Sequence, residues 1–227
     1  MQIKFHGHAC FELSDGDTKL LVDPFLKPNN PSAVHTADEV DPTHVLLTHG
    51  HVDHLADAVA VCKRTGAPAV AHTELAGWLG EQGVAETFDP NLGGTVEFDW
   101  GWVKLVQAFH SNTTPDGTSV GQAAGVVINL GGKTIYHTGD TCLFGDMQLI
   151  ALRTPPDVAI LPIGGHYTMD RHDAAYAAGL IGAGTVIPCH YNTFPPIEAD
   201  AEAFKADVEA QSSSEVVILA PGETHDG

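Results

Sequence analysis

The 227 residues carry 10 Lys and Arg against 29 Asp and Glu, a net charge of −19, and 43% of them are hydrophobic. An apolar share of that size fills the core of one domain spanning residues 1–227, and no run approaches the roughly 18 uncharged apolar residues of a membrane span. So acidic a chain repels polyanions, which disfavours nucleic acid as a partner and leaves a small molecule as the expected one.

Met1 leads directly into the strand-like Ile3–Phe5 with no charged-then-apolar leader, so a cytoplasmic protein is expected. Strand-like runs follow at Gln2–Phe5, Ala9–Leu13 and, after the turn Ser14-Asp15-Gly16-Asp17, Lys19–Val22. From Thr43 the pattern changes to short apolar runs, Val45–Leu47 and Ala69–Ala71, separated by the helix-length segments Leu55–Arg64 and Glu74–Glu81. A second antiparallel stretch reads Thr95–Phe98, Val103–Phe109, Ala124–Leu130, a Gly131-Gly132 hairpin turn and Lys133–His137. The last third alternates again through Val158–Leu161, helix Asp173–Ile181, Thr185–Pro188, helix Ala199–Ala210 and Val216–Leu219. Each half supplies a mixed sheet with helices, which predicts an α/β protein built as an αββα sandwich. The segments Lys27–Ser32 and Asn112–Gln122 are the expected mobile loops. Cys10, Cys62, Cys142 and Cys189 form no CxxC pair and read as buried free thiols.

Chemistry concentrates in Thr48-His49-Gly50-His51-Val52-Asp53-His54, between the strand Val45–Leu47 and the helical run from Leu55. Imidazole and carboxylate suit zinc, iron and manganese, and Gly50 lets the chain bend so that neighbouring ligands converge. Asp53 and His54, adjacent at the helix start, point in different directions and could serve a second metal. His110, Asp140 and His190 each stand at the C-terminal end of a predicted strand, where loops gather side chains into one site. Asp23, also at a strand end, could either orient a metal-bound His or cap a turn.

With those residues in that order, the chain resembles the metallo-β-lactamase superfamily from Asp23-Pro24 to His190. The resemblance implies two divalent metal ions, zinc first with manganese or iron(II) as alternatives. It gives His49, His51 and His110 to one ion, Asp53, His54 and His190 to the other, and makes Asp140 a bridging carboxylate. Phe5-His6-Gly7-His8-Ala9, Gly165-His166-Tyr167-Thr168-Met169-Asp170 and His190-Tyr191-Asn192-Thr193-Phe194-Pro195 are similar to a short branch of metal-dependent hydrolases related to ascorbate-6-phosphate lactonase. That branch implies that His8 and His166 belong to the active site, either touching substrate or supporting a ligand from behind, and that the protein self-associates as a homo-oligomer. There is no room for the inserted domain of the nucleic-acid-cleaving branch.

A two-metal centre lowers the pKa of a bridging water and supplies hydroxide at neutral pH, with Asp53 as the proton shuttle. The expected substrate is a small lactone, ester or phosphorylated metabolite. The competing readings are an iron-dependent oxidoreductase on the same fold, a phosphodiesterase or nuclease, and a non-catalytic metal-binding protein. Against the flavodiiron version of the first, position 51 is His where that group uses Glu.

Overall fold

The computed structural model describes residues 1–227. In the first half, β1 (Gln2–Gly7), β2 (Cys10–Asp15) and β3 (Thr18–Val22) form an antiparallel meander. The sheet continues in parallel through β4 (His44–Leu46), β5 (Ala69–Val70) and β6 (Thr87–Phe88), connected by α1 (Val52–Leu55), α2 (Ala58–Thr65) and α3 (Thr73–Glu81). The second half repeats this plan. Strands β7 (Thr95–Phe98), β8 (Gly101–Gln107), β9 (Ala124–Leu130) and β10 (Lys133–His137) are antiparallel. After α4 (Met147–Arg153) the chain adds β11 (Val158–Pro162), α5 (Arg171–Ile181), β12 (Thr185–Cys189), α6 (Ala201–Gln211) and β13 (Glu215–Val216) in parallel. Finally β14 (Thr224–Asp226) returns to pair with β1. The result is two seven-stranded sheets, ordered β14-β1-β2-β3-β4-β5-β6 and β13-β12-β11-β10-β9-β8-β7.

The period-2 alternation of strand side chains separates three apolar layers. Leu20 and Val22 on β3, and Val126 and Ile128 on β9, point between the sheets. Leu21 points outward to join Val61, Leu75 and Leu79 beneath α2 and α3. Val127 points the other way, toward Ala174, Ala178 and Phe204 of α5 and α6. This is the αββα sandwich that the alternation of strands and helices predicts. The face of α5 is almost all alanine, which brings the helix close to the sheet. The Asp170 carboxylate caps its start by accepting from the His172 and Asp173 N–H groups at 2.9 Å, and Gly182 ends it at φ 66°.

Five details depart from expectation. The helix predicted over Leu55–Arg64 is broken into α1 and α2 because Asp57 serves the neighbouring loop. Its N–H donates to the Pro24 carbonyl, and its carboxylate accepts from the Leu26 N–H at 2.7 Å and the Asn29 amide at 2.9 Å. The loop predicted to be mobile at Lys27–Ser32 is thereby anchored, with Asn30 fully buried and donating to the Phe25 carbonyl. Strand β8 stops at Gln107, since the Phe109 N–H turns to the Thr141 hydroxyl, and the strand predicted over Val216–Leu219 keeps only Val216. Cys142 is exposed, unlike the other three thiols.

Candidate metal centre

Every residue of the centre follows the C-terminal end of a strand. Asp23 comes directly after β3, the His49–His54 turn after β4, His110 after β8, Asp140 after β10 and His190 directly after β12. Three residues here have left-handed backbone, His8 at φ 60°, Asp23 at 48° and His190 at 53°. Such strain costs about 1–3 kcal/mol per residue and persists only where the surroundings enforce it. Gly50 is needed for close approach: a Cβ there would lie 3.1 Å from Val120 and 3.2 Å from the Asn112 Oδ1, which accepts the Gly50 N–H at 2.8 Å. Asn112 also donates to the Val120 and Gln122 carbonyls, so one buried amide locks the Asn112–Gln122 loop onto the histidine turn.

The donors form two groups. His49, His51 and His110 make one, and Asp53, His54 and His190 are gathered with His8 in the other, each group offering atoms within 4.8 Å of one another. In the first group, Nδ1 of His51 lies 3.0 Å from Nε2 of His49 and 3.2 Å from Nε2 of His110. The tautomer of His49 follows from its other nitrogen. The Thr48 hydroxyl gives its single proton to Asp23 at 2.7 Å, so His49 Nδ1, 3.0 Å away, must donate to that oxygen, which leaves Nε2 a bare lone pair. Likewise His54 Nδ1 donates to Asp23 at 2.7 Å, and its Nε2 has no hydrogen-bond partner although fully buried. Neither ring nitrogen of His190 is hydrogen-bonded. Asp140 stands between the groups: its Oδ2 is 3.1 Å from His190 Nε2, 3.4 Å from His54 Nε2, 3.6 Å from His110 Nε2 and 3.9 Å from His49 Nε2. Converging lone pairs, orphaned buried nitrogens and a central carboxylate fit cations well, because a cation satisfies all of them at once.

The charges point the same way. Burial opposes ionisation of Asp140, yet the positive partners His190 and His54 hold its carboxyl well below the usual range. Burial also opposes protonation of His190, but Asp140 and Asp53 lift it to about 9. His54 is likewise raised, against burial, by Asp140 and Asp23. Burial and the facing His54 push His49 well down. The carboxylates thus favour positive charge at this centre, which protons on His54 and His190 supply and a bound cation would supply in their place.

The group also contains His8, but that ring has no lone pair to offer. Asp53, kept ionised by His190 and His8 in spite of its burial, can only accept, so His8 Nε2 donates to its Oδ2 at 3.1 Å. Burial drives the His8 imidazole down to about 4, so it is neutral, and its Nδ1 accepts from the Thr193 hydroxyl at 2.9 Å. His8 therefore supports Asp53 from behind, one of the two roles expected of it, and does not line the open cleft. His166 is not brought to the site: it is exposed, packed edge-to-face on Tyr167 at 4.5 Å, and Tyr167 is the member of that pair that reaches the cleft. A bend at the exposed Gly165, φ 81°, places them so. Asn112 and Thr48 are positioning residues that sequence reasoning passed over. Thr48 adjoins a candidate ligand, the one signal that could have marked it.

The cleft above the donors has a volume of about 480 Å³. His51, Asp53, His110, Asp140 and His190 form its floor, and Phe25, Val52, Ser111, Tyr167, Phe194 and Pro196 its remaining walls.

The β-lactamase superfamily domain matches residues 2–190, the span that holds all these donors. A UPF0173 metal-dependent hydrolase of Shouchella clausii is 44% identical, with 99% of each chain covered. Another from Thermus thermophilus is 45% identical over 98% of this chain and 97% of its own. Among solved structures, Igni18, a metallo hydrolase from the hyperthermophilic archaeon Ignicoccus hospitalis, superposes with a TM-score of 0.90 at 36% identity, covering 99% of this chain and 97% of its own. End-to-end agreement in sequence and fold, around donors gathered from both sheets, settles the relationship: the chain belongs to the UPF0173 metal-dependent hydrolases of the β-lactamase superfamily.

Proposed function

We propose that the protein hydrolyses a small lactone, ester or phosphorylated metabolite with the help of two divalent cations, zinc first and manganese or iron(II) as alternatives. His49, His51 and His110 would hold one, Asp53, His54 and His190 the other, with Asp140 shared. The observation that carries this reading is the position of Asp140 Oδ2 within 3.1–3.9 Å of a histidine nitrogen from each group. When bound, such a pair of cations polarises a carbonyl or phosphoryl oxygen and lowers the pKa of a water, which is what hydrolysis at neutral pH needs.

The chain's own residues do the rest. Asp53 lines the cleft as an acceptor-only carboxylate, placed to take a hydrogen bond from the attacking water and to carry its proton toward the leaving group. His8, fixed by Thr193, holds the Asp53 carboxylate in one orientation. Asp23 fixes His54 directly and His49 through Thr48, so both rings present Nε2 to the centre. No serine or cysteine nucleophile takes part.

The test is metal exchange. Protein stripped by a chelator should lose activity on a panel of lactones, esters and phosphodiesters, and regain it with zinc or manganese. Undiminished turnover in a sample shown metal-free by elemental analysis rejects the reading.

A further inference from the structure

From the walls of the cleft we infer that the part of the substrate that does not react is neutral and apolar, an aryl or branched alkyl group, and that it does not carry a phosphoryl group. This rests on the hydrolase reading above and selects among the substrates it allows. Charged donors are confined to the floor of the cleft, where the reacting group must sit. Above the floor, the side chains of Phe25, Val52, Phe194 and Pro196 offer only carbon, those of Ser111 and Tyr167 add one hydroxyl each, and no Lys or Arg lines the cleft at all.

The apolar wall is built, not incidental. Phe25 is only 4% exposed, and its ring lies 5.5 Å from His8 and 6.4 Å from Phe194. Phe194 in turn lies 5.7 Å from His8, so both phenylalanine rings of the wall are packed against the His8 ring that stands behind Asp53 and beside His190. At the rim, Val52 and Tyr167 are each 56% exposed, an unfavourable place for apolar surface unless a ligand covers it. A volume near 480 Å³ lies within the range of small-molecule clefts and admits one ring and a short chain beyond the scissile bond.

Electrostatics excludes the alternative. A remote phosphomonoester carries about −1.5 to −2 charges at neutral pH and needs Arg, Lys or several N–H donors to replace its water. Here it would lie against phenylalanine and proline in a chain of net charge −19, with no Lys or Arg of the lining to meet it.

The test uses the metal-loaded protein and two lactones of equal length, one ending in a phenyl group and the other in a phosphomonoester. The phenyl lactone should have the higher kcat/KM, by at least about tenfold, the scale on which an apolar pocket discriminates. Phe194→Ala, and separately Tyr167→Ala at an exposed position that does not endanger folding, should raise KM for the phenyl lactone several-fold more than they change its kcat. Equal or faster turnover of the phosphomonoester overturns the inference, as does an unchanged KM in both variants. A second arm measures binding of 4-phenylbutan-1-ol, which has no bond to hydrolyse, by saturation-transfer NMR. Binding that weakens in Phe194→Ala while neither lactone is turned over supports the apolar cleft and counts against the hydrolase reading. Absence of binding to the parent protein overturns the inference itself.

Discussion

Asp23 accepts three hydrogen bonds in the core of the protein, and the one from His54 Nδ1, at 2.7 Å, decides which nitrogen of that ring faces the centre. Replacing Asp23 by Asn keeps the shape, and Asn tolerates the local φ of 48°. The amide would donate to His54 where the carboxylate accepts, turning the ring to the tautomer that directs a hydrogen at the metal. Asp23→Asn is therefore expected to bind zinc about 10- to 100-fold more weakly with its fold intact. Competition with a chromogenic chelator measures this, and affinity within twofold of the parent would show that the Asp23–His54 bond is only structural.

His190 is the most isolated donor in the sequence and belongs to a single group. His190→Asn suits its backbone φ of 53° better than alanine does. The variant should fall from about two ions per chain toward one, because His49, His51 and His110 still form a complete triad, and turnover should drop by orders of magnitude. Native mass spectrometry gives the count. A folded variant with two tightly held ions removes His190 from the centre, and one with none means that the two positions are not separable.

Gly164 supports His190 from behind: a Cβ at this position would lie 2.3 Å from the His190 carbonyl oxygen and 2.9 Å from Ile197. Gly164→Ala must push the His190 loop away, so it should cost about 1–3 kcal/mol of stability and weaken metal binding together. Thermal unfolding and metal titration of the same sample check the pair. A variant that melts with the parent contradicts the close approach.

Acid should destabilise the protein partly through His6. Burial, aided by His35 and Lys4, pushes this imidazole from 6.5 down to about 3. Below pH 6.5 the unfolded chain takes up a proton that the folded chain refuses, so stability falls as pH drops from 6.5 toward 3 and is unaffected by this group above that window. At about 1.4 kcal/mol per unit, the loss between pH 7 and 5 is about 2 kcal/mol. Urea unfolding of the parent and His6→Gln at both pH values should give a shallower dependence in the variant, and parallel curves would refute the assignment.

The candidate donors were legible because His49, His51, Asp53 and His54 share one turn, and because His110, Asp140 and His190 each follow an apolar run that could only be a buried strand. Strand β14 was not, since Thr-His-Asp has no apolar period and is a strand only through its pairing with β1. Asp57 reads as an ordinary helical residue until the Pro24–Asn29 loop is brought beside it. His8 and His166 both looked like active-site residues, and which one meets Asp53 depends on a 45-residue separation that local pattern does not encode.

The division of the donors between the sheets bears on the order of folding. His49 and His51 come from the first sheet but His110 from the second, and Asp53 and His54 likewise wait for His190. Neither half of the chain alone holds the three donors assigned to either ion, so the proposed pair of cations would find its full ligand sets only after the two sheets have closed on each other. Refolding in zinc and in chelator should therefore share their early kinetic phases and diverge only at the last. The ion would act as a latch on a finished sandwich, slowing its reopening while leaving its assembly untouched.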